Sequence, residues 1–247
     1  MKVSIIIPTY NTPQMAIECI QSLFDYKNEC DIEIVVVDNG SDNSHKLIHG
    51  KFPHIKVIKN AENMGYGYAI NQGIKVTDGE FILMLNSDTL AKQDNWIDEM
   101  INTFDDKTAV VGNRLINRDN QLVGCGVMGT NAKPIIRGWK EYNDHNKYNK
   151  VCECISVCGA CYMIKRSNIE KLGMLDENLI FYFEETSYSY NARRNGFKVL
   201  YCPTSELYHF HQGSSKDNLW LNQQFIKGKQ YFDEKFKDMM EDTRKYE

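Results

Sequence analysis

The sequence predicts an α/β fold: a mostly parallel central sheet flanked by helices, with a helical extension at the C-terminus. Three observations carry that prediction. Short apolar runs such as Phe81-Ile82-Leu83-Met84-Leu85 are unbroken by polar residues, which suits strands buried on both faces. Segments with apolar residues at helical spacing lie between these runs. The two kinds of segment alternate along the first half of the chain, which favours parallel pairing with helices on both faces of the sheet.

Val3 to Ile7 is the first strand, and Pro8-Thr9-Tyr10-Asn11 turns the chain at its carboxyl end. Thr12-Pro13 starts a helix, proline being tolerated in the first turn. Ala16, Ile20, Leu23 and Phe24 give that helix one apolar face. Ile32 to Val37 is the second strand and ends at Asp38-Asn39-Gly40-Ser41. Asp42-Asn43-Ser44 can cap the next helix. Ile55 to Ile58 is a third short strand, followed by a helix from Ala69 to Val76 and then the Phe81 strand. Gly65-Tyr66-Gly67 lacks the third glycine of a dinucleotide fingerprint, Ile70 standing there, and it follows the third strand rather than the first.

Asp94 to Phe104 reads as a helix with Trp96, Met100 and Phe104 on one side, and Val110 to Gly112 as a short strand. From Arg114 to Lys150 glycines and asparagines break the pattern, which predicts a β-rich excursion and a mobile loop over the site. Thr186 to Arg194 is helical and Gly196 stops it. Phe197 to Tyr201 is a strand that gives way at Pro203. Beyond Asp217 the chain is helical. Phe225, Phe232, Phe236 and Met239 recur there at helical spacing, which predicts a helix packed on the domain rather than a membrane-facing or subunit-facing surface.

The 247 residues suffice for one large domain with a real core. With 29 basic and 33 acidic residues, net −4, no basic field invites nucleic acid. No apolar run approaches the length of a membrane span, and the N-terminal apolar stretch is too short for a signal peptide. A cytoplasmic location is therefore expected, with the eight cysteines as reduced thiols. Cys152, Cys154, Cys158 and Cys161 could be read as a zinc cluster, but their spacing is poor and small buried thiols are the preferred reading.

Three strands end in polar turns: Thr9-Tyr10-Asn11, Asp38-Asn39-Gly40 and Asn86-Ser87-Asp88. If those strands are parallel, the turns line one edge of the sheet, where open α/β sheets bind ligands. Asp88 is then placed to hold a divalent cation against a phosphate, since such ions take one or two protein carboxylates and complete their shell with substrate oxygens. A carboxylate at Asp38 can accept the N–H of a uracil or thymine base. The plain alternatives are an N-cap for Asn86 to Thr89 and a turn-forming residue for Asp38.

Val3 to Asn11, Val35 to Asp42, Asn63-x-Gly65 with Ala69-x-Asn71-x-Gly73, and Leu85-Asn86-Ser87-Asp88-Thr89 together resemble the family 2 glycosyltransferases. These are inverting, metal-dependent enzymes of the GT-A fold. The resemblance is closest to the bacterial rhamnosyltransferase-like branch, whose metal motif reads Asn-x-Asp, with Asn86 here in the first position. It implies a nucleotide site from Pro8, Thr9, Tyr10, Asn11, Asp38, Asn63, Gly65, Asn71, Asn86 and Ser87. It implies Mn²⁺ or Mg²⁺ on Asp88 and His209, with His211 in reserve. Gly159 and Ala160 would leave room for the donor sugar, and Asp176 and Glu184 would stand near donor or acceptor. Glu185 fills the position of the general base, although Glu184 and Glu185 would also suit a helix N-terminus on electrostatic grounds alone. Ser187 stands where the family usually has a second acid.

The donor implied is a UDP- or dTDP-linked sugar and the acceptor a saccharide or lipid-linked hydroxyl, in cell-surface polysaccharide assembly. Residues 1–215 would form the GT-A domain, with a nucleotide-binding half, 1–112, and an acceptor and catalytic half, 113–215. Residues 216–247 would form the extension, which could touch the inner membrane face or a second subunit. A binding module without turnover and a sugar-phosphate nucleotidylyltransferase are the alternatives. The latter would want a glycine-rich basic loop after the first strand, which Pro8 to Asn11 is not.

Overall fold

The computed structural model describes residues 1–210 and 219–246. The chain opens with β1 (Lys2–Thr9), α1 (Pro13–Asp25), β2 (Asp31–Asp38), α2 (Ser44–Lys51), β3 (Lys56–Lys59), α3 (Tyr66–Lys75) and β4 (Phe81–Leu85). It continues through β5 (Thr89–Ala91), α4 (Trp96–Asn102), β6 (Thr108–Ile116), β7 (Leu122–Gly124) and the hairpin β8 (Val127–Thr130) and β9 (Lys133–Ile136). There follow β10 (Cys152–Glu153), β11 (Cys161–Lys165), α5 (Ile169–Leu172), α6 (Glu184–Arg194), β12 (Lys198–His209), α7 (Leu219–Lys235) and α8 (Lys237–Met240).

The main sheet runs β10-β12-β6-β11-β4-β1-β2-β3, with β5 added to β12 and β7 to β6. β1 pairs in parallel with both β2 and β4, and β2 with β3. β11 is antiparallel to its neighbours β4 and β6, and β12 is parallel to β6. The carboxyl ends of β1, β2 and β4 therefore share one edge, as the polar turns predict. Period-2 alternation sends side chains to two cores. Ile5, Val36 and Leu83 face Ile20, Leu23, Ile48 and Trp96 on one side. Ile6, Val35 and Met84 face Ile70, Ile74, Tyr188 and Ala192 on the other. Helix α3 lies so close to β1 that a Cβ on Gly73 would stand 2.4 Å from Ile6 Cγ2.

Several expectations need correcting. Phe24 is exposed and leans on the rings of Phe52 and His54 instead of the sheet. Helix α3 begins at Tyr66 rather than Ala69, because Gly65 at φ +90 supplies the turn and Ile180 O accepts the Tyr66 N–H. β6 is nine residues long, buried throughout. Pro203 does not end the last strand. The register of β12 on β6 shifts between Cys202 and Glu206, a bulge that tolerates the missing N–H, and the strand runs on to His209.

The stretch from 114 to 150 is pinned rather than draped over the sheet edge. The buried Arg114 guanidinium donates to Asn143 Oδ1 at 2.8 Å, Lys147 O at 2.7 Å and Tyr148 O at 3.0 Å. Of the C-terminal aromatics, Phe232 and Phe236 pack on Tyr190 of α6, with ring centroids 4.9 and 5.4 Å away, while Phe225 is exposed. Asn131 Nδ2 donates to Met239 O and Arg193 lies over the Tyr246 ring, so this end of the chain is docked on α6 and the hairpin. Among the described residues no helix is long and apolar enough to cross a membrane. All eight cysteines are free thiols. Cys152 and Cys154 sulfurs are 3.9 Å apart, whereas Cys161 Sγ packs on Met100 Sδ.

Candidate active site

The polar turns enclose a cavity of about 290 Å³, the size of a small-molecule site. Its walls include Pro8, Thr9, Tyr10 and Thr12 after β1, Asn39 after β2, Asn63 and Tyr66 at the start of α3, and Asn86, Ser87 and Asp88 after β4. Phe181, Tyr182 and His209 close it from the second half of the chain.

Asp88 and His209 meet because of strand register. β5 and β12 pair antiparallel with Thr89 opposite His209, and Phe210 N–H donates to Asp88 O at 3.1 Å. That pairing brings His209 Nε2 to 3.4 Å from Asp88 Oδ1, both side chains being buried. Two donors each about 2.1 Å from one ion, at an angle between square and tetrahedral, stand about 3.0–3.4 Å apart, so the pair fits a shared cation. Among the described residues no group of three or more His, Cys, Asp or Glu side chains could hold a metal. Among the described residues an ion here would have Asp88 and His209, with the rest of its shell left to substrate oxygens and water. His211 lies outside the described residues. Arg118, stacked 4.5 Å over the Phe210 ring, adds a cation to the cleft that adjoins Ser87 and Asp88.

The three turns are held by side chains that bond to one another and to neighbouring backbone. Thr9 and Thr12 hydroxyls are 3.1 Å apart, and Ser87 Oγ lies 3.4 Å from Thr12 Oγ1. Asn11 is exposed at φ +55, and its N–H donates to Ser41 Oγ, so it sets the turn and does not line the cavity. Asp38 does not reach the cavity either. Its fully buried carboxylate accepts from the Ser41 and His45 N–H groups and lies 3.1 Å from His45 Nδ1. The wall position belongs to Asn39, whose Nδ2 donates to Asn63 Oδ1 and Gly65 O. Gly65 is glycine because a Cβ would stand 2.6 Å from Ile180 O. Asn71 is also displaced from its expected role. Its side chain bonds Leu175 in both directions and Glu177 Oε1, tying α3 to the loop before α6.

Glu185 sits in the first turn of α6. Gly159 makes room for it, since a Cβ there would be 2.9 Å from Glu185 Cδ. The Tyr66 hydroxyl, on the cavity wall, donates to Gly159 O at 3.2 Å. Ala160 O accepts the Asn86 N–H. Burial raises the Glu185 pKa above the usual carboxylate value. Cys158 lies close enough to both Glu185 and Asp88 that their charges add to burial in pushing its thiol up to about 12. Asp176 stands apart: it accepts from Lys235 and Tyr231 and anchors α7.

Two consecutive aromatics before α6, Tyr182 and Phe183, have φ +72 and +71. Such conformations cost bulky residues on the order of 1–2 kcal/mol each. Ring packing holds them: Phe181 on Tyr182 at 4.6 Å, Tyr182 on Phe225 at 5.4 Å, and Phe183 on Phe232 at 5.3 Å. The turn that aims Glu185 is thus clamped by α7. Sequence reasoning missed Thr12, Asn39, Tyr66, Phe181 and Tyr182 as wall residues. The Phe181-Tyr182-Phe183 run was the one legible signal.

Glu184 is 2% exposed, and its Oε1 has no hydrogen-bond partner. Burial first, and the neighbouring Glu185 second, raise its pKa well above the usual value. The folded state therefore favours the neutral acid. Its stabilising contribution is complete below the ordinary carboxylate range and is lost as pH rises through the raised pKa. Glu184→Gln should match wild type in melting temperature near about pH 5 and exceed it by roughly 2–6 °C near about pH 9. A difference independent of pH would contradict this.

The sequence model of glycosyl transferase family 2 matches residues 4–173, more than half of the chain. The chain belongs to glycosyl transferase family 2. A curated relative of this family 2 chain is the low-salt glycan biosynthesis hexosyltransferase Agl10 of Haloferax volcanii, 27% identical over 220 residues, 76% of this chain and 65% of that protein. The chain spans between 25% and 65% of the length of the first three curated relatives it matches. Its fold is GT-A. The Pyrobaculum calidifontis mannosyltransferase PcManGT, solved with GDP-Man and Mn²⁺, superposes with a TM-score of 0.66 over 96% of this chain and 67% of its own, at 16% identity. GalNAc-T7, solved with UDP, GalNAc and Mn²⁺, superposes with a TM-score of 0.70 over 94% of this chain and 50% of its own, at 17% identity.

Proposed function

We propose that this chain transfers one sugar from a nucleoside diphosphate donor to an acceptor hydroxyl, inverting the anomeric centre. The observation that carries the reading is the Asp88–His209 pair, drawn from distant parts of the chain into one cavity with the ends of three parallel strands. Family membership and the Mn²⁺ bound in both fold neighbours support it.

In this reading the donor's nucleoside lies against Pro8 to Tyr10, Asn39 and Asn63, and its diphosphate against Ser87 and Asp88. Mn²⁺ or Mg²⁺ held by Asp88 and His209 would supply positive charge to the diphosphate leaving group. Asn86 carries no charge, so it serves the ribose or a bound water through its amide. Glu185 takes the proton of the acceptor hydroxyl as that oxygen forms its bond to the anomeric carbon. The bond from that carbon to the diphosphate oxygen breaks, and the nucleoside diphosphate leaves with the electron pair. Asn86 at the head of the motif favours the rhamnosyltransferase-like branch, with a UDP- or dTDP-linked hexose or deoxyhexose, and surface polysaccharide as the product.

A panel of nucleotide sugars read by thermal shift tests this. One UDP- or dTDP-sugar should stabilise the protein, more so with Mn²⁺. Binding without any release of nucleoside diphosphate would instead support a module that binds and does not turn over, a reading opened by the departures from the family's pattern at Asn86, Glu185 and Ser187.

A further inference from the structure

A second cavity, of about 350 Å³, lies between the β8–β9 hairpin, the first turn of α6 and α7. The geometry points to it as the binding site for the hydrocarbon chain of an amphiphilic acceptor, an inference that rests on the transferase reading above. Continuity with Glu185 is the first argument. Phe183 and Thr186 line this cavity, while Tyr182, one residue earlier, lines the donor cavity. Thr186 Oγ1 lies 3.5 Å from Glu185 Oε1. The turn that carries Glu185 therefore contributes wall to both spaces, Tyr182 to the donor cavity and Phe183 and Thr186 to this one.

The chemistry of the walls is the second argument. Val127, Pro134, Ile136, Ile155, Phe232 and Met240 present hydrocarbon. The polar wall groups are already engaged. Asn131 donates to Met239 O and accepts from Arg193, Ser156 donates to Ser189, Tyr190 donates to Asn131 O, and Lys229 pairs with Asp233. A saccharide would bring many hydroxyls to walls with few partners to offer, and that burial is costly. An alkyl or isoprenoid chain brings none. The mouth is apolar too: Ile136 on β9 lines the cavity and is 47% exposed, a hydrocarbon edge where a chain can enter. The acceptor would lie with its chain between hairpin and α7 and its hydroxyl end toward Thr186 and Glu185.

The test uses the whole chain and alkyl glucosides from methyl to decyl, below their micelle concentrations, by titration calorimetry. Affinity should rise about fourfold per methylene, about 0.8 kcal/mol each, until the cavity is filled. Ala132→Trp should obstruct the mouth and Ile136→Asp should place a charge in it. Both positions are exposed, so the fold should survive. Each variant should weaken decyl glucoside at least tenfold and leave the Mn²⁺-dependent thermal shift with nucleotide sugar unchanged. Affinity independent of chain length, or a length dependence that persists in both variants, would overturn the inference. If chain-length dependence holds but no nucleotide sugar shifts the wild-type protein, the apolar site stands and the transferase reading falls.

Discussion

Asp88→Ala should abolish the proposed sugar transfer and leave the fold intact. The carboxylate stands beside His209 at the cavity, at the carboxyl edge of the sheet and outside the two apolar cores. The backbone bond from Phe210 N–H to Asp88 O, which fixes the local register, does not depend on the carboxylate. Without the carboxylate the site would lose the negative ligand proposed for the cation, and the charge developing on the diphosphate would go unanswered. Removing a single group that stabilises transition-state charge costs on the order of 10²–10³ in rate, and a lost cation should cost at least that. The measurement is release of nucleoside diphosphate under saturating donor, with the melting temperature of the free variant as the control for folding. Near-normal turnover would remove Asp88 from the mechanism.

Glu185→Gln separates binding from chemistry. The amide keeps the shape of the side chain beside Gly159 and gives up its basicity. Donor affinity should hold within a few-fold, while transfer falls by on the order of 10²–10⁴. The pH profile supplies an independent readout. Burial favours the protonated form of Glu185 and raises its pKa. A base must be ionised, so the wild-type rate should climb with pH through that raised value, with its acid limb above the ordinary carboxylate range. The residual rate of the Gln variant should lack the limb. Equal loss of donor affinity and transfer would argue that Glu185 shapes the site without acting as a base.

The N-terminal half was legible because its signals are local. An apolar run of strand length, a polar turn and a helical period each declare themselves within about ten residues, and β1 to β4 follow with small shifts at their ends. Asp38 and Asn71 stand off the cavity wall, each bonded within the protein. Both are polar residues in the right motif, and sequence alone does not say whether such a side chain faces a ligand, the adjacent backbone, as Asp38 does, or a distant segment, as Asn71 does. Here the Asp38 carboxylate is spent on the Ser41 and His45 N–H groups, and Asn71 on Leu175. Asn39, one residue on, holds the wall position. The Asp88–His209 meeting was legible only through motif order. Its physical cause is a strand that passes Pro203 by a bulge and then pairs with the short β5, which no local period announces. Asp176 was read as a site residue, but its partners Tyr231 and Lys235 lie more than fifty residues downstream.

The convergence of distant side chains on a single ion is tested most directly by crystals grown with UDP and Mn²⁺, with diffraction recorded at the manganese absorption edge. One anomalous peak is expected, bonded to both Asp88 and His209 and to diphosphate oxygens. A peak elsewhere, or UDP bound in the cavity with no manganese between those two side chains, would contradict it.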